Sequence, residues 1–569
     1  MMGIVANRAG ASDYDDDMVQ AKELGIDAFA LNIGTDSFTE TQLEYAYESA
    51  ANNDMKVFIS FDFNWFSTSS DAAKVGQMIA KYSSEPAQLT VNGKAFASSF
   101  SGDGLDVSAV KTAAGIDVFF APNFSPYATP DPDSIEGALN WMGWDTNGDN
   151  KAPTNGINVT VVEGDEKYRT WLTSKSYIAP ISPWFSTHYG AEVTYSKNFV
   201  FPSDLLWYTR WNDVLTTSPE FVEIITWNDY GESHYIGPLS SMHDDDGASK
   251  WVNDMPHDGW RDVAKPFIAA YKAGAASVDD YITEDQIVYW YRPAPRSVNC
   301  DATDNTMKPG NNDSGNYFEG RPNGWEVLED FVFVVSLLTS PGSVTVTSGD
   351  NTETFEAPAG ASSFQVAMGV GQQNFSLSRD SKTVLSGTSL KDVIDECPCG
   401  IYNFNAYVGT LPEGTSGSLA ADGLVSFTVG LAVETCSATP SLGSGSTVAT
   451  TTVPPAISVT LTATGGLTTG ASGGNSVTTL ESAPITSTTE APSTTTTEAV
   501  PTTTDEAPST TEVLSTSAIE PLPTTTEEAH TAPDEHHLQQ RRINELDRDN
   551  NANRDGFTYY FSGHFNLDD

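Results

Sequence analysis

The sequence predicts an α/β fold, a (β/α)8 TIM-type barrel followed by a β-sandwich domain and a disordered Ser/Thr-rich tail. Short apolar runs alternate with amphipathic segments at the start, Thr, Ser and Val then alternate, and Ser, Thr and Pro finally dominate. The first pattern favours a parallel sheet with helices, and the second favours antiparallel strands. The third cannot bury a core. We therefore predict a barrel at 1–278, a sandwich at 279–436, a stalk at 437–535 and a charged, disordered segment at 536–569.

Eight apolar runs supply the strands of the predicted barrel. They lie near residues 4–6, 27–32, 57–61, 96–100, 118–122, 138–144, 177–182 and 222–227. Helix signals separate them, including Gly25 as a C-cap and the capping-box spacing of Thr39 and Gln42. The active site of such a barrel lies where its strands end.

Carboxylates follow two of these runs at the point where each run stops. The last run ends at Asn228, and Asp229 and Glu232 come directly after it, while the run at 57–61 ends at Asp62. An unpaired carboxylate is costly to bury, so these acids belong in a polar cleft or contact a specific partner. If both strands lie in one barrel, the three acids meet at one face.

Polar and aromatic side chains suited to sugars also follow the predicted strands. Aromatic rings stack on the C–H faces of sugars, and Asp, Asn and His form hydrogen bonds to their hydroxyls. The candidate substrate-binding residues are Asn32, Asn64, Trp65, Asp103, Trp144, Asp145, Trp184, His188, Trp227, Asn228, Tyr230 and His234. The alternative for Trp65, Trp144 and Trp184 is a role in the core.

The charge and hydropathy of the chain exclude two classes of partner. The 569 residues include 76 acidic and 28 basic side chains, for a formal net charge of -48, which repels phosphate backbones. We therefore exclude nucleic acid. There is no apolar run of about 18 residues, so we predict no membrane span. We also predict a monomer.

Four cysteines permit two disulfides in an oxidising compartment, with three possible connectivities. Cys397 and Cys399 are too close for an easy mutual bridge, which leaves Cys300 and Cys436 as their partners. A zinc site is disfavoured because there is no Cys-x-x-Cys motif. The segment at 145–149 resembles a calcium loop only weakly, and we predict no metal.

The beginning of the chain and its glycosylation sequons bear on its location. Residues 1–4 enter a predicted strand without the basic and apolar regions of a signal peptide. Sequons at Asn123, Asn158, Asn312 and Asn374 nevertheless favour export. We expect a secreted or cell-wall-associated glycoprotein whose signal peptide is missing from this sequence.

Six motifs are spread over residues 1 to about 410. They are GIVANR at 3–8, DAFALN at 27–32, FISFDFNW at 58–65, TWNDYGESH at 226–234, WVNDMPHDG at 251–259 and GIYNFN at 400–405. These motifs resemble the fungal α-1,3-glucanases, or mutanases, of glycoside hydrolase family 71. The resemblance implies endo-hydrolysis of α-1,3-glucan by an inverting mechanism that needs no cofactor. It also implies that Asp62, Asp229 and Glu232 are the essential acids.

Hydrolysis of a glycosidic bond needs one carboxylic acid to protonate the leaving oxygen and a carboxylate to direct water or attack carbon. We assign Glu232 as general acid and Asp229 as general base, with Asp62 positioning substrate or tuning the pair. Inversion requires carboxyl groups about 6.5–9.5 Å apart, whereas a spacing near roughly 5 Å argues for retention.

Several alternatives compete with this hypothesis. Asp229 can simply cap a turn, and Glu232 can pair with a neighbouring base. The chain can be an inactive, wall-bound α-glucan-binding protein, although the three intact acids argue against this. It can also hydrolyse another linkage, such as that of α-1,4-glucan, because acids at strand ends do not identify the linkage.

Overall fold

The structure is a computed structural model of the chain. It describes residues 1–412 apart from 130, 149–150, 154–157, 191–196, 240–247, 253–254, 305 and 307–319, together with 448–449. Most of the predicted stalk and all of the predicted terminal segment therefore lie outside the described residues. Among the helices of the described part, none combines the length and the apolar character needed to cross a membrane.

Strands and helices alternate in the first part of the chain. The strands are β1 (Ala28–Ile33), β2 (Lys56–Asp62), β3 (Thr90–Val91), β4 (Lys94–Phe100), β5 (Val118–Phe120), β6 (Gly137–Leu139), β7 (Ser176–Ile181), β8 (Ser186–Tyr189), β9 (Lys197–Val200) and β10 (Phe221–Ile224). The α-helices are α1 (Asp15–Leu24), α2 (Thr39–Asn52), α3 (Ala72–Tyr82), α4 (Val107–Ala114), α5 (Val161–Leu172), α6 (Leu206–Thr217), α7 (Ser249–Val252) and α8 (Asp258–Lys272). Short 3-10 helices occur at Ala11–Tyr14, Pro132–Ser134 and Asp279–Tyr281.

Parallel strands form two sheets. In the first, β1 pairs with β2, β2 with β4 and β4 with β5. In the second, β7 lies between β6 and β10. The short strand β3 pairs with β4, and β8 and β9 form a separate pair, both antiparallel. The chain is thus a mixed α/β protein, as predicted.

Backbone hydrogen bonds join the two parallel sheets at both of their edges. At one edge, the amide of Glu136 donates to the carbonyl of Phe120 at 3.0 Å. At the other edge, Met2 forms a parallel bridge with β1. The carbonyl of the preceding residue, Met1, accepts from the amide of Trp227 at 2.7 Å, just after β10.

Seven of the eight predicted barrel strands are present, although their ends differ. The strand predicted at 4–6 is absent, because an asparagine side chain takes the place of a neighbouring strand. Asn228 Oδ1 accepts from the amide of Ile4, and Asn228 Nδ2 donates to the carbonyl of the same residue, each at 3.0 Å.

Local sequence signals predicted one helix end correctly and the start of another helix wrongly. Gly25 follows α1 with a φ of 90°, a left-handed conformation that glycine adopts without strain. The capping box predicted at Thr39 and Gln42 is wrong, since α2 already begins at Thr39. Gln42 instead binds the backbone of Arg8, accepting from its amide at 3.2 Å and donating to its carbonyl at 2.8 Å.

Both faces of the parallel strands are buried, which explains their apolar runs. On one face, side chains from strands of both sheets share a cluster that includes Phe58, Phe96, Phe119, Leu139 and Ile178. The Phe58 and Phe96 ring centroids lie 4.7 Å apart, and those of Phe96 and Phe119 lie 5.2 Å apart. The other face packs against the helices.

Antiparallel strands follow at higher residue numbers. They are β11 (Gln286–Tyr291), β12 (Phe331–Leu338), β13 (Gly342–Ser348), β14 (Asn351–Ala357), β15 (Gly360–Ala367), β16 (Gln373–Arg379), β17 (Lys382–Thr388), β18 (Tyr407–Leu411) and β19 (Val448–Ala449), with 3-10 turns at Trp325–Val327 and Pro398–Gly400. Two sheets result, with the orders β15-β12-β11-β18 and β14-β13-β16-β17-β19.

The two antiparallel sheets share an apolar core. Tyr289 of β11 stacks on Phe375 of β16 with ring centroids 3.7 Å apart. The opposite face of β11 belongs to the core of the first part of the chain, where Trp290 meets Trp260 of α8 at 6.1 Å between ring centroids. The β15-β12-β11-β18 sheet therefore packs against other parts of the protein on both of its faces.

A disulfide joins Cys300 to Cys397. This is one of the pairings that the sequence left open. Cys436 lies outside the described residues, so its pairing with Cys399 stays a prediction.

Removal of this disulfide should lower the free energy of unfolding. The cross-link spans 97 residues, and a loop of that length is worth about 4–5 kcal/mol of chain entropy in the unfolded state. We expect the double variant Cys300→Ala, Cys397→Ala to lose that amount in guanidinium unfolding at equilibrium. A loss below about 1 kcal/mol would contradict the entropic account.

Candidate active site

Three buried acids lie just beyond two parallel strands. Asp62 is the last residue of β2, whereas Asp229 and Glu232 follow β10. The exposed fractions are 1% for Asp62, 6% for Asp229 and 0% for Glu232. The acids thus follow the carboxyl ends of β2 and β10, where ligands bind in parallel α/β folds.

Asp62 sits in a pocket that favours its protonated form. Burial raises its pKa to about 7, although hydrogen bonds and a nearby cation partly oppose the rise. Its Oδ1 accepts from the amide of Asn64 at 2.9 Å, and its Oδ2 accepts from Asn32 Nδ2 at 3.4 Å. The cation is the ammonium of Lys197. Asp62 can therefore hold a proton near neutral pH.

Glu232 lies between two cationic groups. Lys197 Nζ donates to its Oε1, and His234 Nε2 lies 3.0 Å from its Oε2. His234 Nε2 also lies 3.5 Å from Asp229 Oδ2. Burial alone would lower the pKa of His234, but the two carboxylates outweigh it and raise that pKa to about 9. The raised pKa keeps His234 protonated at neutral pH, so both carboxylate oxygens of Glu232 lie beside nitrogen donors.

Hydrogen bonds within the loop fix the position of these acids. The amide of Asp229 donates to Thr226 Oγ1 at 2.9 Å, and the amide of Glu232 donates to Asp229 Oδ1 at 3.2 Å. A Cβ at Gly231 would lie 1.7 Å from the hydroxyl oxygen of Tyr189, so the close approach requires glycine there. The turn-capping and ion-pair contacts that competed with catalysis in the sequence are therefore both present.

The structure places four of the predicted substrate-binding residues near the strand ends with polar or exposed side chains. Trp65 is 44% exposed, Asn64 is exposed, and both follow Asp62 directly. Asp103 Oδ1 accepts from the amide of Ser125 at 2.9 Å. Asp145 Oδ1 accepts from the amide of Val161 at 2.9 Å. Of the predicted aromatic contacts, Trp65 has the most accessible ring.

The other predicted aromatic contacts are buried. Trp144 Nε1 donates to the carbonyl of Trp184 at 3.2 Å, and Trp184 Nε1 donates to that of Phe404 at 2.9 Å. Trp227 Nε1 donates to an aspartate at 2.9 Å, and the Tyr230 hydroxyl donates to a backbone carbonyl at 2.8 Å. Sugar stacking at these rings stays a prediction that their burial does not favour.

The remaining predicted polar contacts also have protein partners. Asn32 lies beside Asp62, Asn228 holds the backbone of the first residues, and His234 joins the two acids. His188 lies between Asn198 Oδ1 at 2.7 Å and Asp304 Oδ2 at 2.6 Å. Despite its burial, the pKa of Asp304 falls to about 2 because the histidine binds its carboxylate. His188 is therefore held by two buried hydrogen-bond partners, Asn198 and Asp304.

The sequence also matches a known protein family. Residues 1–420 match glycosyl hydrolase family 71. The chain belongs to this family. The match includes the three acids, the two cationic partners of Glu232 and both antiparallel sheets up to β18.

Curated relatives extend the match. The family 71 chain is 43% identical over 419 residues to the mutanase Pc12g07500 of Penicillium rubens, covering 73% of this chain and 88% of the relative. It is 35% identical to the Schizosaccharomyces pombe glucan endo-1,3-alpha-glucosidase agn1, covering 70% and 91%. The ascus wall endo-1,3-alpha-glucanase of the same yeast is 26% identical, covering 71% and 94%.

Sequence reasoning missed one member of the family 71 site. Lys197 begins β9, a strand that the sequence did not predict, and its side chain is buried against Glu232. A lone lysine gives no local signal, because its partner is 35 residues away in the chain. Basic residues are scarce in this chain, 28 of 569, and this scarcity was the signal in the sequence that could have drawn attention to Lys197.

Metal binding does not fit the family 71 site. Asp229, Glu232 and His234 each offer one ligand atom, and these atoms lie within 4.8 Å of one another. The ammonium of Lys197 already contacts Glu232, however, and a His234 pKa of about 9 means that its ring nitrogens carry protons at neutral pH. Protonated nitrogens have no lone pair for a metal. We assign no metal.

A cavity of about 660 Å³ lies at the opposite ends of the parallel strands. The residues that line it include Ala28, Lys56 and Phe221, which are the first residues of β1, β2 and β10. The three acids are not among the described residues that line it. The lining is mostly apolar, with charged side chains such as Asp54, Glu223 and Lys272, and the candidate active site at the acids is a different place in the fold.

The charge of His234 should make stability depend on pH. Its pKa is raised from 6.5 to about 9, so its contribution is fully present below pH 6.5 and disappears as the pH rises through 9. The difference is worth roughly 3 kcal/mol. We expect the parent to lose stability between pH 7 and 9 more steeply than a His234→Gln variant, measured by urea unfolding. Equal slopes would contradict a charged His234.

Proposed function

We propose that this family 71 chain hydrolyses internal α-1,3-glucosidic linkages of fungal cell-wall α-1,3-glucan. The observation that carries the proposal is the group of three buried acids beyond β2 and β10, one with a raised pKa and one between two cations. Such unequal environments give neighbouring acids different roles in a hydrolysis. The names of the curated relatives, mutanase and glucan endo-1,3-alpha-glucosidase, support the substrate and the endo mode.

The contacts favour a different division of roles from the one that we assigned from sequence. Both carboxylate oxygens of Glu232 already contact protein nitrogens, Oε1 that of Lys197 and Oε2 that of His234, whereas burial raises the pKa of Asp62 to about 7. We assign Asp62 as general acid and Asp229 as general base. Glu232 then holds His234 and Lys197 in place beside Asp229.

The spacing of the acids supports this division. Carboxylate oxygens of Asp229 and Glu232 lie within 4.8 Å, which is shorter than the roughly 6.5–9.5 Å that inversion needs for an intervening water. This spacing is close to the roughly 5 Å of a retaining pair, so Asp62 belongs to the acid–base pair if the reaction inverts. Proton NMR of the first product decides the stereochemistry, since inversion of an α-linkage releases the β-anomer.

We also propose that the two parallel sheets close into a (β/α)8 barrel over residues 1–278. The backbone bonds of Glu136 to Phe120 and of Trp227 to Met1, with the Met2 bridge, support closure at both edges. The shared core of the antiparallel sheets supports a β-sandwich over 279–436. The stalk at 437–535 and the charged segment at 536–569 complete the proposed domain order.

We propose further that the protein acts outside the cell, as a monomer that is secreted or bound to the wall. The disulfide supports an oxidising compartment. Among the described sequons, Asn158 is exposed. Asn123 is less suitable because its Nδ2 donates to the carbonyl of Leu139 at 3.0 Å.

Release of reducing sugar from insoluble α-1,3-glucan by the full chain tests the function, with α-1,4-glucan assayed in parallel. We expect release from the first polymer alone, with oligosaccharides rather than glucose as early products. Binding to α-1,3-glucan without release would favour an inactive glucan-binding protein. Release from α-1,4-glucan alone would establish a hydrolase for another linkage.

A further inference from the structure

Lys197 is a buried cation that takes no part in the proton transfers assigned to Asp62 and Asp229. Its side chain is 3% exposed, and its partner Glu232 is 1% exposed at the side chain. Removing an ammonium from water is costly, and a buried ion pair is often no more stabilising than packed apolar groups. A buried lysine beside catalytic acids therefore calls for an explanation other than stability.

The β8–β9 pair brings this cation to the acids from outside the parallel sheets. Lys197 begins β9 and faces Tyr189 of β8, whose ring centroid lies 5.8 Å from its Nζ. Tyr189 in turn occupies the space that a side chain at residue 231 would fill. The amide of Ser186, which begins β8, donates to the carbonyl of Glu232 at 3.0 Å. The β8–β9 pair and the loop that carries Asp229 and Glu232 thus contact each other at several points.

Lys197 acts on two acids at once. Its Nζ contacts Glu232 directly, and its charge also lowers the proton affinity of Asp62, against the larger effect of burial. The other groups that face Glu232 are His234 and Asp229, and those that face Asp62 are Asn32 and Asn64. Among these described groups, Lys197 is the one cation that influences both β2 and the loop after β10.

We propose that Lys197 is a positioning residue for the hydrolysis, holding Glu232 as an oriented carboxylate and setting the charge balance between the acids that follow β2 and β10. The proposal rests on the proposed function, since it concerns the same reaction. It predicts that loss of the ammonium changes the pH dependence of the reaction as well as its rate.

The variant Lys197→Met tests this, because Met keeps most of the side-chain length and lacks the charge. Without the ammonium, the pKa of Asp62 rises further, because the charge of Lys197 opposes the effect of burial there. We expect kcat/KM on a soluble α-1,3-glucan oligosaccharide to fall about 10²-fold and the alkaline limb of its pH profile, which the general acid Asp62 sets, to move to higher pH. Lys197→Arg keeps the charge and should retain the parent profile with a smaller loss.

Lys94→Met is the matched control, because Lys94 pairs with Glu136 at 3.3 Å near the opposite ends of the strands. It should leave kcat/KM and the pH profile unchanged. Each variant is checked for folding by circular dichroism. A folded Lys197→Met variant with the parent's rate and profile would overturn the proposal. If Lys197→Met does not fold, the Arg variant decides: a folded Arg variant with a displaced profile overturns the proposal, and one with the parent profile supports it.

Failure of this proposal is separable from failure of the proposed function. Hydrolysis of α-1,3-glucan by the parent, with loss in a variant of an essential acid, supports the function whatever Lys197 does. Absence of hydrolysis in the parent would overturn both.

Discussion

Replacing Asp229 with Asn is expected to lower kcat on α-1,3-glucan about 10³-fold while leaving the fold intact. The amide cannot accept a proton from the attacking water, and loss of a general base typically costs between about 10² and 10⁴ in rate. Asn keeps an oxygen that can accept from the amide of Glu232, the contact that orders the loop. Reducing-sugar release under saturating substrate measures the effect.

Asp106→Asn provides the control for this substitution. Asp106 caps α4, and its Oδ1 accepts from the amide of Ala109 at 2.9 Å, three residues along the chain, as Asp229 does with Glu232. It is exposed and lies outside the acid group. An equal loss of kcat in both variants would show that a general effect of charge removal, rather than base catalysis, is responsible.

Replacing Asp62 with Asn is expected to abolish hydrolysis and at the same time to stabilise the protein at alkaline pH. The folded-state pKa of about 7 exceeds the usual 3.8, so the folded state binds the extra proton between these values. Stability therefore falls as the pH rises from 3.8 through 7, by ~4 kcal/mol in total. Asn cannot ionise, so the variant escapes this loss.

The two effects of Asp62→Asn are measured separately. We expect a Tm above that of the parent at pH 8 and about the same Tm at pH 4, with kcat reduced at least 10²-fold at both. Asp204→Asn is the comparison, because burial also raises the pKa of Asp204, to about 6, outside the acid group. It should shift stability in the same direction without lowering kcat. A parent-like kcat in Asp62→Asn would remove Asp62 from the role of general acid.

The parallel strands were predictable from the sequence for a physical reason. Strands buried on both faces are apolar along their whole length, and this pattern depends on the strand alone. The strand predicted at 4–6 failed because its hydrogen bonds go to the side chain of Asn228, which no periodicity encodes. The β8–β9 hairpin was missed because it is short and contains polar residues such as His188 and Lys197.

The acids were predictable because carboxylates directly after apolar runs are unusual. The direction of an aromatic side chain was not predictable in the same way. Trp65 and Trp144 both follow strands, yet the first is partly exposed and the second is packed against Phe185 and Phe201. The pKa of Asp62 depends on burial and on Lys197, which becomes its neighbour only in the folded chain.

The pairing of the first residues with the loop after β10 has a consequence for biosynthesis. Ile4 and Asn228 are 224 positions apart, and the acids at 229 and 232 follow directly. At roughly 5–20 residues per second, a ribosome needs about 10–45 s to pass from one to the other. Through that interval the nascent chain cannot complete this pairing, and contacts of such sequence separation form slowly. The loop that carries Asp229 and Glu232 should thus be among the last parts of the parallel region to become ordered.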